Sequence, residues 1–313
     1  MEFKKAIFAN IIFLFSAAFV YAGEMSLLGR SLKDIEINLY SFGSGTKCII
    51  IVGGMHGQYE DSTVKIAGEI IDWCVENEDK LDELNTTIKI VYNLNPDSFL
   101  YSRDEEITKN RSNKLRFNGN GVDINRNWNT PNWQRNVLYS DRELVKKAGG
   151  EYPQSEPETK YLAKLIEDSK KNYEALSVIT LHSYVVHTSD HGSVFPSYIY
   201  EGEDIVVLPE ADRLARVFAE SGYFELSYQF EYYFIPGELL YWCGIKNISA
   251  IDIEFSNNEE YEINSTLFFE AFENLLAGNK IRQEDLLIDD ANIKDANVDD
   301  DAIKIEMQNV LDK

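Results

Sequence analysis

Four short apolar runs in this chain each lead into a polar residue of a kind that does chemistry, and that recurrence limits the fold more than any other feature. Cys48 to Val52 stops at Gly53-Gly54 ahead of His56, Ile88 to Tyr92 precedes Asn95, Leu176 to Leu181 precedes His182, and Ile248 to Ile253 precedes Glu254. Runs of this length bounded by turn residues read as buried strands. Helical patterns lie between them. Ser62 to Val75 places Val64, Ile66, Ala67, Ile70 and Ile71 on one face, and Pro209 to Ala219 reads as a helix closed by Gly222. Ser155 opens another, with Pro157 in the first turn and Glu158 three residues past the cap, the pattern of a capping box. Strands alternating with helices predict an α/β fold, a single domain with a mixed, largely parallel central sheet flanked by helices. Sites in such sheets form at the carboxyl ends of the strands, where these four polar residues fall. The loop-rich stretch from Asn93 to about Gly150 is too long for a plain connection, which marks it as functional.

The ends of the chain differ from its middle. Lys4 and Lys5 precede an apolar run from Ala6 to Val20, and Val20-Tyr21-Ala22 has the small-x-small form of a cleavage site. Residues 1–22 therefore read as a signal peptide, 23–280 as the catalytic domain and 281–313 as an acidic, disordered tail. No cysteine follows the apolar run and no later segment could span a bilayer, so the expected product is secreted or periplasmic, without a stable membrane anchor after cleavage. With 53 acidic against 30 basic residues and a net charge of −23, the chain repels phosphate backbones, so nucleic acid is not an expected partner. Cys48, Cys74 and Cys243 are odd in number and sit among apolar neighbours, which reads as buried free thiols. The absence of a C-x-x-C pair argues against a thiolate metal site.

Imidazole and carboxylate ligands remain. His56 lies in a Gly-rich turn after a strand, with Glu60 at the start of a helix, and His182 ends another strand beside Ser183 and Tyr184. Two histidines and a carboxylate with one position left open suit a single Zn2+. His187 and His191 lie in a polar loop and are less rigidly placed. Arg116, Asn125 and Arg126 fall in the long loop; arginine suits bidentate grip of a carboxylate and stabilisation of an oxyanion. Glu254, at the end of an apolar strand, suits a general base, whereas Asp252 is expected to face elsewhere.

In order, the chain presents HG-x-x-E, R-x-N-x-x-GVD-x-NRN, SEPET, LHSY, a Tyr before a Pro-Gly turn and Trp, and a strand-end Glu. Together with "LGRSL" and "NPDSF", this series resembles the zinc carboxypeptidase family of the carboxypeptidase A type, over roughly Leu27 to Leu275, and most of all its bacterial branch that trims peptidoglycan peptides. The resemblance implies zinc on His56, Glu60 and His182, Glu254 as general base and acid, and Arg116 polarising the scissile carbonyl. It also implies that Asn125 and Arg126 hold a free carboxylate and that Tyr233 closes over a peptide or muropeptide substrate. Ser183 and Tyr184 would border that substrate, and Leu240, two residues before Trp242, would floor its side-chain pocket. The chain departs from the family where His56 and Glu60 are separated by one residue more than the usual H-x-x-E, which leaves Glu60, Gln58 and Asp61 as candidates for the carboxylate position. An N-acyl amino acid deacylase on the same scaffold and a zinc-free binding protein are the alternative readings.

Overall fold

The structure is a computed structural model that describes residues 23–101, 115–139, 143–183, 192–228, 235–256 and 261–278. The segments expected to be a signal peptide and an acidic tail lie outside the described residues, as do Tyr184, His187, His191 and Tyr233. The strands in chain order are β1 (Glu24–Arg30), β2 (Glu36–Phe42), β3 (Lys47–Val52), β4 (Thr86–Val91), β5 (Val137–Leu138), β6 (Leu144–Val145), β7 (Ala175–Ser183), β8 (Ser193–Pro196), β9 (Tyr198–Glu201), β10 (Asp204–Val207), β11 (Glu225–Leu226) and β12 (Ser249–Phe255). The helices are α1 (Asp61–Glu76), α2 (Glu78–Glu83), α3 (Pro157–Asn172), α4 (Pro209–Gly222), α5 (Leu239–Ile245) and α6 (Tyr261–Leu276).

Eight strands form one mixed sheet in the order β1-β2-β4-β3-β7-β12-β8-β11, with the central β4-β3-β7-β12 block parallel. The antiparallel β1 and β2 extend one edge, and β8 joins β12 antiparallel on the other side. Parallel strands need long crossovers, and the helices supply them on both faces. The consequence is written into β3. Ile49 and Ile51 pack with Ile66 and Ile70 of α1 and Phe268 of α6, whereas Ile50 and Val52 pack with Leu162 and Ile166 of α3 and Trp242 of α5. With both faces covered, every position from Cys48 to Val52 is apolar instead of every second one. All three cysteines are buried free thiols within these two cores. No described helix is long and apolar enough to cross a membrane.

Two expectations about helix ends need correction. The residue that caps α3 is Glu156, and it makes no side-chain capping bond; Ser155 Oγ instead donates to Glu156 Oε1 at 2.6 Å. Glu158 turns into the protein, so no capping box forms. α4 runs through Gly222 as its last residue, and the left-handed position is taken by Tyr223 at φ 57°. The strands β7 and β12 also run further than the apolar runs alone suggest, so His182 and Glu254 lie inside them and not beyond them.

Because neither face of β3 meets water, Ile50→Ala and Ile51→Ala should each lower stability by about 2–5 kcal/mol. Denaturant midpoints would check this; a near-neutral effect at either position would mean that one face is solvated.

Candidate metal centre and its surroundings

Three neighbouring parallel strands deliver the central residues. His56 follows β3, His182 is on β7, and Glu254 is the register partner of His182 on β12. After β3 the chain makes a tight 3-10 turn over Gly57–Glu60, held by Gly57 N to Gly54 O at 3.0 Å and Tyr59 N to His56 O at 3.2 Å. Gly57 sits at φ 54°, and a Cβ there would lie 1.8 Å from Ser98 Oγ, so the turn needs glycine. This turn absorbs the extra residue between His56 and Glu60. Glu60 keeps a non-helical backbone at the junction with α1, its carbonyl accepts Thr63 Oγ1 at 2.7 Å, and its carboxylate is buried. Asp61 instead pairs with Lys65 on the partly exposed side of α1 at 3.1 Å; the Gln58 backbone N–H donates to Ser98 Oγ at 2.7 Å, and its side-chain oxygen is buried without a hydrogen-bond partner.

Glu60 Oε2 lies 3.3 Å from His182 Nδ1, and the rings of His56 and His182 are 5.0 Å apart. One donor atom from each of His56, Glu60 and His182 lies within 4.8 Å of the others, the one such group among the described residues. His56 Nδ1, Glu60 Oε2 and His182 Nε2 are buried without a hydrogen-bond partner. Orphaned buried polar atoms are costly unless something compensates them. A cation held among the three residues would compensate buried groups of this kind, and imidazole nitrogen with carboxylate oxygen is a zinc donor set.

Asp123, in the GVD motif but with no spacing that marks it as a site residue, organises the surroundings. It is fully buried, accepts Arg116 Nε at 2.7 Å and Tyr139 Oη at 2.8 Å on one oxygen, and accepts the Asn125 amide at 2.9 Å on the other. The His56 ring is 3.4 Å away. Burial alone would raise the Asp123 carboxyl, but Arg116, His56 and Arg126 outweigh it and hold it well below the usual carboxylate range. Arg116 also reaches His56 Nε2 at 2.8 Å and Glu60 Oε1 at 3.6 Å. Burial pushes Glu60 up to about 8 against the opposing pull of Arg116, and burial followed by Arg116 takes His56 well below its ordinary value.

Glu254 is half-buried, and loss of water pushes its carboxyl up to about 7, with His182 pulling it down and Glu60 pushing it up. A group so placed exchanges protons near neutrality; beside a bound dication the value falls. Asp252 does not face elsewhere: its Oδ2 is 3.8 Å from His182 Nε2, and Thr180 Oγ1 donates to its Oδ1. Positions two apart on a strand share a face, so Asp252 and Glu254 had to point the same way. Asn125 and Arg126 are buried side by side in a short 3-10 turn. Asn125 Oδ1 accepts the Leu239 amide at 2.9 Å, which leaves its NH2 as the group to offer a ligand. Arg126 Nη1 donates to Asn125 O at 2.7 Å, and its guanidinium lies 5.7 Å from the Tyr139 ring centre. Gly237, at φ 66°, brings its backbone against Arg126 O so closely that a Cβ would sit 2.4 Å away. Ser183 is buried on β7 with its backbone hydrogen-bonded to Glu60, and Leu240 is buried in the core under α5.

The chain matches the family described as zinc carboxypeptidase over residues 17–220. It belongs to that family. Glu254 falls beyond the matched stretch and rests on its place beside His182. Murein peptide amidase A of Escherichia coli K12 is 29% identical over 261 residues, covering 80% of this chain and 86% of that protein. Among solved structures, bovine thrombin-activatable fibrinolysis inhibitor, in complex with a tick carboxypeptidase inhibitor, is similar at a TM-score of 0.62 and 18% identity, covering 82% of this chain and 90% of that one. Murein-tripeptide amidase from Escherichia coli O157 aligns at a TM-score of 0.54 and 24% identity, covering 80% and 91%. As a zinc carboxypeptidase family member, the chain is a zinc hydrolase, and the family uses one zinc.

If the orphaned trio holds that ion, His182→Ala should lose it and wild type should carry about one zinc per chain. Elemental analysis of purified protein checks both, and a variant that keeps full zinc content would displace the site.

Proposed function

We propose that the chain hydrolyses the amide bond next to a residue with a free carboxylate, in peptidoglycan peptides outside the cytoplasm. The observation that carries the reading is the pairing of Asn125 and Arg126, an amide and a guanidinium buried side by side in one turn, the two group types that suit a carboxylate. Arg126 is close enough to act electrostatically on His56, Glu60, Asp123 and Glu254. Zinc on His56, Glu60 and His182 supplies Lewis acidity to the scissile carbonyl and to the attacking water when bound. Glu254 takes the proton from that water and hands it to the leaving amine. Arg116, braced by Asp123, faces the charge that develops on the carbonyl oxygen. Tyr233, Tyr184 and Ser183 border the substrate in this reading, with Leu240 at the floor of the side-chain pocket.

A cell-wall peptide is the favoured substrate class for two reasons. A relative that aligns with 80% of the chain is a murein peptide amidase, and residues 1–22 carry the pattern of a secretory signal. Diaminopimelate at the carboxyl end would also bring an ammonium. In this reading Glu238 and Asp252 are the acids set to meet it. Both are buried, burial raises them to about 7 and about 8, and among the described residues no lysine or arginine forms a salt bridge with either. The Tyr198 hydroxyl donates to Glu238.

Glu254→Gln should retain zinc and fold while turnover drops by on the order of 10² to 10⁴; a variant near wild-type kcat would remove Glu254 from the proton path. Arg126→Ala should weaken transition-state binding by roughly 2–5 kcal/mol for a peptide acid and by much less for its amide. The measurement is kcat/KM on one matched acid and amide pair. Equal losses on both would mean that Arg126 does not read the carboxylate and would favour an amidase of the deacylase kind.

A further inference from the structure

Asn118 and the two glutamates of the stretch Ser155–Thr159 belong to the sequence motifs, yet none of them reaches the reacting groups. The structure joins them. Asn118 lies two residues after Arg116 and five before Asp123, and the loop between those two is wound around its side chain. Asn118 Oδ1 accepts the amides of Asn120 at 3.0 Å and Val122 at 3.1 Å, while its own amide donates to Val122 O at 2.9 Å. The NH2 of the same side chain turns the other way, to Glu156 Oε2 at 2.8 Å and Glu158 Oε2 at 3.1 Å at the start of α3. Asn120 adds a bond to Glu156 Oε2 at 3.0 Å, and Asn127 Oδ1 accepts the Glu156 amide at 3.1 Å. On the opposite side, Asn95 Nδ2 donates to Arg116 O at 3.2 Å.

Glu156 and Glu158 are 2% and 0% exposed, and neither forms a salt bridge with a lysine or arginine among the described residues. Two buried carboxyls without a cation are an expensive arrangement. Both find a donor in one NH2 group. A carboxamide is the side chain that can do this: its oxygen serves the loop amides, while its two N–H groups serve two acceptors at once. Aspartate at this position would keep the loop contacts, lose both donors and add a third acid.

We propose that Asn118, gripped by Glu156 and Glu158, is a positioning residue that fixes Arg116 and Asp123 against His56. The bracket transmits the placement of α3, a rigid helix, to the guanidinium that faces the reacting carbonyl. It rests on the proposed function only for the role of Arg116, since the placement of Arg116 against Asp123 is a property of the resting protein.

The experiment therefore carries two readouts on the full chain. The first is the Arg116 Nε–H resonance in ¹⁵N NMR, assigned with an Arg116→Lys spectrum, which reports the bond to Asp123. The second is kcat against KM on a peptide acid. Asn118→Asp should lose or broaden the Arg116 signal and lower kcat by on the order of 10-fold or more, with KM held within about threefold. Glu158→Leu should do the same to a smaller degree, and Glu158→Gln, which still offers an acceptor to Asn118, should retain both signal and kcat. If Asn118→Asp does not fold, the Glu158 pair decides alone. A wild-type Arg116 signal in Asn118→Asp or, failing that, in Glu158→Leu overturns the proposal, as does a parallel loss of kcat and gain in KM that tracks thermal stability. Should wild type hydrolyse no peptide acid, the functional reading fails while the Arg116 signal still decides the bracket.

Discussion

One buried carboxylate holds the centre together. Asp123 is surrounded by a guanidinium, a phenol, a backbone amide and an imidazole, and each of those groups belongs to a different requirement of the site. Ionised carboxylates are tolerated in the interior only when opposite charge and donors surround them. Arg116 satisfies that condition and is itself held by it, so the pair is stable where either member alone would be a burial penalty. Tyr139 lies beneath the guanidinium groups of both Arg116 and Arg126, at 5.9 and 5.7 Å from its ring centre. The two positive groups, to which the proposed mechanism gives the substrate, therefore share one aromatic ring, and Arg116 is also held by one anion.

The sheet explains how residues scattered from position 56 to 254 meet. Each crossover returns the chain to the same edge of the parallel block, so the carboxyl ends of β3, β7 and β12 lie side by side. The helices that make those returns also cover both faces. The same construction that buries the strands therefore gathers the polar residues at one rim.

Much of this was legible in the sequence. The four apolar runs marked β3, β4, β7 and β12, and three of the polar residues that follow them, His56, His182 and Glu254, converge. The fourth, Asn95, supports the loop behind Arg116. What was not legible depended on contacts between distant segments. Local spacing made Glu158 look like a capping residue, but a partner forty positions away in the chain claims it. The αL position after α4 fell on Tyr223 instead of Gly222; the glycine instead allows a close approach, since a Cβ there would lie 2.7 Å from the Phe224 ring and 2.9 Å from Leu267 O. Asp252 was misplaced by an error of period: residues two apart on a strand share a side. Asp123 stands in the GVD motif, but nothing local marks its role, since its importance comes from what folds around it. The outer strands β1, β2, β8 and β11 are short or partly exposed and carry weaker apolar patterns than the centre.

The pairing of His182 with Glu254 has a consequence for how such a chain can change over time. They are register partners on adjacent parallel strands, so their backbones are held about 4.8 Å apart by the ladder itself. The groups proposed to border a substrate's side chain, by contrast, come from loops and from the short helix α5. Insertions and replacements in those loops can alter which molecule fits without disturbing the spacing between a metal ligand and its neighbouring acid. Chemistry and selectivity are thus carried by mechanically separate parts, and a lineage built on this plan is free to explore new substrates while inheriting the reaction intact.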